Sequence, residues 1–157
     1  MTITTKKSFL TEEVLPLLNT LKADTQPAFG LMTAQHMVEH LTWVTKSSSK
    51  RNGEPAGEPT QRQLGFKRFI EKGAIFEHRP SDKTKADLPP LKYGSLTEAL
   101  EQIPVAIERF YSLFENNPGF KSYTSFTGEL SFEELELMHY QHFRYHMWQF
   151  GLVEQYP

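Results

Sequence analysis

The sequence predicts an all-α protein, a four-helix bundle with one long crossover connection. Two patterns predict it. Four segments place apolar residues three and four positions apart, the spacing of a single buried helix face. Between the second and third long segments runs a stretch with Pro80, Pro89 and Pro90 amid charges, which reads as an extended surface connection too short to be a domain. The length of 157 residues fits a single domain spanning 1–157.

The first helix is expected over residues 9–22, where Phe9, Val14, Leu17, Leu18 and Leu21 recur at helical spacing, with Pro16 either kinking it or marking its true start. After a break at Gln26-Pro27-Ala28-Phe29-Gly30, Thr33 is placed to cap a second helix through Met37, Leu41 and Val44 to about Lys46. Residues 47–60 are polar with Gly, Pro and Ser, and read as a loop or frayed helix end. A short amphipathic piece follows over 61–72, then the crossover over 73–95. The third helix carries Leu96, Leu100, Ile103, Ile107, Phe110 and Phe114 and ends at Asn116-Asn117-Pro118-Gly119. Beyond an aromatic and polar loop, Ser131 and Glu134 form a capping box that opens a fourth helix running to Phe150 and stopping at Gly151. No internal repeat or sustained heptad is present.

Composition narrows the function. Hydrophobic residues make up 38% of the chain and aromatics 13%, enough for a packed core. Seventeen basic residues against nineteen acidic ones give a net charge of −2, which argues against nucleic acid or an anionic membrane as partner. No apolar run approaches the roughly 18 residues that span a bilayer, and the start lacks a signal-peptide core, so a cytoplasmic protein is expected. With no cysteine, the chain has no disulfide, thiolate nucleophile or Cys-ligated zinc, and any metal must sit on His, carboxylate or carbonyl groups.

Five of the six histidines fall in two helical clusters, His36-Met-Val-Glu-His40 and His139-Tyr-Gln-His142-Phe-Arg-Tyr-His146. Residues four apart on a helix are neighbours, so His36/His40 and His142/His146 can each clamp an ion. His139 lies about 10 Å along the axis from His146, too far for both to hold one metal. If the second and fourth helices face each other, His40 supplies a third imidazole to His142 and His146, leaving open positions as in catalytic rather than structural sites. His36, within a turn of the helix start, is an optional fourth ligand or supporting group, and His139 and Gln149, on the same face of the fourth helix as His142 and His146, are the other candidates for an additional ligand or supporting group. The competing reading is a polar seam in which these histidines only hydrogen-bond. His78 reads as a solvated loop residue.

Two other motifs are literal matches with little context. His36-x-x-Glu39-His40 has the order of an inverted zinc-protease motif, but leaves the second cluster unexplained. Glu136-x-x-His139 matches one element of di-iron bundles, which need two. No phosphate-binding glycine loop and no G-x-S-x-G occurs.

The segments from Phe29-Gly30 to His40-Leu41 and from His142 through His146 to Gln149-Phe-Gly resemble the DinB/YfiT-like superfamily, and more closely one branch of it. The resemblance covers nearly the whole chain in order and spacing. It implies a four-helix bundle in which His40, His142 and His146 bind a divalent metal, Zn²⁺ or Ni²⁺ foremost. His36 and Tyr145 depart from the family pattern, whereas Gln149 matches a recurrent glutamine on the same face as His142 and His146. Members include transferases and isomerases that use low-molecular-weight thiols such as bacillithiol or mycothiol. The expected function is therefore activation of such a thiol, or of water, for transfer to or hydrolysis of a small electrophilic substrate. The alternative is a non-catalytic metal-stabilised binding or stress-response protein. Homodimerisation is a further expectation, with Trp43, Trp148, Tyr140 and Phe143 available to core or interface.

Overall fold

The computed structural model describes residues 4–157. The N-terminal helix is a composite of α1 (Lys6–Ser8), a π-helical stretch (Phe9–Glu13) and α2 (Val14–Leu18). Pro16 explains the composite. A proline ring collides with the carbonyl four residues back, here Glu12, and the wider π turn just before it, closed by the Val14 amide on the Phe9 carbonyl, removes that conflict. The proline thus sits inside the helix rather than starting it, and the helix ends at Leu18, four residues short of the expected boundary. Leu21 is nevertheless buried in the following turn.

Helix α3 (Ala34–Ser47) is capped by Thr33, whose hydroxyl accepts from the His36 amide. Helix α4 (Gln61–Glu71) is the short amphipathic piece, closed by a capping box between Thr60 and Gln63. The crossover holds no regular element beyond a 3₁₀ turn (Lys85–Asp87). Helix α5 (Leu96–Asn116) buries Ile103, Ile107, Phe110 and Phe114 along one stripe and carries Pro104 on its exposed side.

The expectation of an all-α chain needs one correction. The loop before the last helix forms a small antiparallel hairpin of β1 (Ser122–Thr124) and β2 (Gly128–Leu130), with Gly128 at φ 73° closing the turn. Strands of three residues are too short to show an alternating pattern in sequence. The hairpin also anchors the segment after α3, since the Asn52 amide donates to the Tyr123 carbonyl and the Tyr123 amide to that of Lys50.

Helix α6 (Phe132–Gln149) opens on the predicted box, the Ser131 hydroxyl accepting from the Glu134 amide at 3.3 Å and the Glu134 carboxylate from the Ser131 amide at 3.1 Å. It closes in a Schellman motif: Leu152 donates to the Met147 carbonyl and Gly151, at φ 75°, to that of Trp148. One core joins the N-terminal helix (Val14, Leu18), α3 (Met37, Leu41), α5 (Ile103, Phe110) and α6 (Leu135, Phe143, Met147), with Ile70 from α4. The protein is thus mostly helical, of the helical-bundle class. Of the four aromatics left open between core and interface, Phe143 is fully buried and Tyr140 packs against the core, while Trp43 and Trp148 are exposed. Ser131→Ala is expected to cost about 1 kcal/mol, read as a fall in melting temperature of about 2–4 °C.

Candidate metal centre

Helix α3 delivers His40 and helix α6 delivers His142 and His146 to one point, 102 residues apart in sequence. The Nε2 atoms of His40 and His142 stand 3.0 Å apart, and those of His142 and His146 3.1 Å. The three rings meet edge to face with centroids 4.7–4.9 Å apart. His142 and His146 are buried and His40 is half-buried, so the cluster meets solvent on the His40 side. A candidate ligand atom from each of the three lies within 4.8 Å of the others, and the group could hold a metal ion.

The protonation pattern suits a cation. Gln149 is buried, and its side-chain amide donates to the Phe29 carbonyl at 2.8 Å, an acceptor only. That orients Gln149 Oε1 toward His146 Nδ1, 2.7 Å away, so Nδ1 carries the ring proton and Nε2 presents a bare lone pair to the cluster. At most one proton can lie between His142 Nε2 and its two neighbours. His142 Nδ1 is buried without a partner, so neither tautomer of that ring is satisfied by the described residues. Two imidazole nitrogens bound at about 2.1 Å to one ion stand roughly 3.0–3.4 Å apart, the spacing found here.

Electrostatics point the same way. Burial pushes the His142 imidazole well below its ordinary value, reinforced by His146 and His40; burial brings His146 down to about 4 and also lowers His40. At neutral pH the triad is uncharged, the state a metal ligand requires. Burial likewise takes His139 down to about 3. Because these folded-state values lie below the unfolded value near 6.5, the folded state binds fewer protons in that interval. Stability is therefore complete above pH 6.5 and lost as pH falls through about 4 and then 3. The urea midpoint of metal-free protein is expected to drop steadily from pH 7 to pH 4.

The other candidate residues are placed elsewhere. His36 donates from Nε2 to the Pro89 carbonyl at 3.1 Å and accepts at Nδ1 from Thr33 at 2.7 Å, so both ring nitrogens are used in tying α3 to the crossover. Glu39 faces the same segment. Its carboxylate accepts from the Lys92 amide at 2.6 Å, the Tyr93 amide at 3.2 Å and Gln35 at 2.9 Å. Burial raises the Glu39 pKa, but those donors outweigh it and hold the value below the usual carboxylate value. The inverted zinc-protease motif is thus divided between two jobs, with only His40 in the cluster. His139 lies outside the triad, its Nε2 paired with Ser48 at 3.1 Å and its ring edge-on to Phe110. Glu136 accepts from the Tyr111 hydroxyl at 2.7 Å, so Glu136 and His139 serve the packing of α6 on α5. His78 is exposed and lies against Phe29.

Three residues to which the sequence assigned no role in the site shape it. Phe76 from the crossover covers the His142 ring, centroids 4.9 Å apart, and its amide donates to the Tyr156 hydroxyl. Phe29 lies over Tyr145 and Trp148 on α6, and Tyr145 packs on His146. Gly30, at φ 88°, lets the loop approach so closely that a Cβ there would lie 2.7 Å from Gln149 Nε2. Only the Phe-Gly pair in the Pro27 break carried a sequence signal, because a glycine in a turn announces an unusual φ. Comparisons with family models, with curated proteins and with solved structures find no match to this chain. Among the described residues no helix is long and apolar enough to cross a membrane.

Proposed function

We propose that the chain is a divalent-metal protein of the DinB/YfiT-like kind, with His40, His142 and His146 as ligands and Zn²⁺ or Ni²⁺ as the ion. The observation that carries this reading is the Gln149 hydrogen bond, which leaves His146 Nε2 unprotonated inside a cluster of two further imidazole nitrogens. Three protein ligands leave coordination positions for an exogenous group, and the half-buried His40 side is where that group would enter. A divalent ion at such a site lowers the pKa of a bound thiol or water and makes it nucleophilic near neutral pH. The protein has no cysteine, so a sulfur nucleophile would come from a small thiol in solution. The chain's own residues position the reaction. Gln149 orients His146, while Phe76 and Tyr145 exclude water from the faces of His142 and His146.

The test is turnover of small electrophiles, an aryl halide and an activated ester, by Zn²⁺- and Ni²⁺-loaded protein with bacillithiol, mycothiol or water. The reading expects turnover that disappears in His142→Ala while the far-ultraviolet circular dichroism stays unchanged. A second reading rests on the burial of His142 and His146, which suits an ion that simply cross-links α3 to α6. It expects metal binding and metal-dependent stability with no turnover of any pair.

A further inference from the structure

A cationic concavity lies between α3 and α5, and the residues that form it take no part in the metal centre. It measures about 250 Å³, with Thr45, Ala106 and Phe110 in its buried floor and Lys46, Lys50 and Arg109 around it. No carboxylate lines it. Among the described residues none of these three cations takes part in an ion pair.

The sequence removes the partners that helices usually provide. Side chains three or four positions away are a helix residue's surface neighbours. For Arg109 these are Val105, Ala106, Ser112 and Leu113; for Lys46 they are Thr42 and Trp43 on α3, and the turn beyond the helix adds Ser49 and Lys50. None is acidic, in a chain whose acidic residues outnumber its basic ones. The carbonyls ending α3 favour cations at Lys46 and Lys50. Arg109 has no such reason on its own helix, since it lies seven residues before the last residue of α5, Asn116. The same neighbours also carry unburied apolar surface, Trp43 being 67% exposed and Val105 51%.

We infer that this concavity is a binding site for a small anionic amphiphile, a molecule with one carboxylate or phosphate head and an apolar body. The head pairs with Lys46, Lys50 and Arg109. The body rests on the floor of Ala106 and Phe110, with Trp43 and Val105 one turn away on their helices. The inference is independent of the metal reading.

Calorimetric titration of the full chain with octanoate, in the presence of a chelator, tests it. The expected result is saturable binding at one site per chain, weakened at least tenfold in the double variant Lys46→Gln, Arg109→Gln. Arg109 is exposed and Lys46 only half-buried, and circular dichroism checks that the variant folds. Octanol and inorganic phosphate, each supplying one half of the ligand, should bind at least tenfold more weakly than octanoate; octyl phosphate in place of octanoate reports which head is preferred. Absence of saturable binding by both octanoate and octyl phosphate, or an affinity unchanged in the double variant, overturns the site. Octanol or inorganic phosphate binding as tightly as octanoate overturns the amphiphile.

Discussion

Zn²⁺ or Ni²⁺ added in excess is expected to raise the melting temperature of the wild-type protein by about 5–10 °C. An ion that binds only the folded chain stabilises it by about 2.7 kcal/mol when present at a hundred times its dissociation constant, and each kcal/mol moves the midpoint of a chain this size by about 2–4 °C. The condition of binding only the folded state is met because His40 and His142 are 102 residues apart and meet only when α3 packs on α6. His142→Ala should abolish the shift. His139→Leu should retain it, although His139 is one turn away on the same helix and equally buried, because its Nε2 is directed to Ser48. Differential scanning calorimetry of the three proteins with and without metal makes the comparison. A shift lost equally in both variants would mean that the histidines matter only for packing.

Loss of the Gln149 side-chain amide is expected to weaken metal binding by about 10–100-fold, the usual cost of removing a hydrogen bond that orients a ligand imidazole. In Gln149→Leu the His146 Nδ1 proton has no acceptor, and the ring is free to turn or to place its proton on Nε2, the atom that should bind. Gly30→Ala acts on the same bond from outside. Its methyl group would lie 2.7 Å from Gln149 Nε2 at a φ of 88° that alanine resists, so the loop or the amide must give way. The two variants should be less than additive, because each disables the same contact. Competition titration against a chromophoric chelator measures all four proteins. Affinity unchanged in Gln149→Leu would show that His146 is held by packing against Tyr145 alone.

How much of this was legible depends on the length scale over which each feature is encoded. The capping residues Thr33 and Ser131 and the stop at Gly151 act on their own helix turns, so their signals are local and the boundaries of α3 and α6 follow them closely. Pro16 gave an ambiguous signal because a π turn lets a proline remain inside a helix, and sequence periodicity does not distinguish that from a kink. The hairpin of Ser122–Thr124 and Gly128–Leu130 was hidden by the brevity of its strands. The pairs at His36/His40 and His142/His146 are visible as spacings and the position along the helix favours His40 over His36, but that His36 is spent on the Pro89 carbonyl depends on how the crossover packs and has no local signal. Phe76 was invisible because nothing in a charged, proline-containing segment marks one aromatic for a long-range contact.

Whether His40, His142 and His146 hold an ion is read most directly from the metal content of untagged protein by plasma mass spectrometry, for wild type and His142→Ala side by side. The prediction is close to one divalent ion per chain in the wild type, as isolated or after reconstitution with zinc or nickel, and none retained in the variant. Wild-type protein that stays free of metal after reconstitution with both ions would contradict the account and leave the three imidazoles as a hydrogen-bonded seam between α3 and α6.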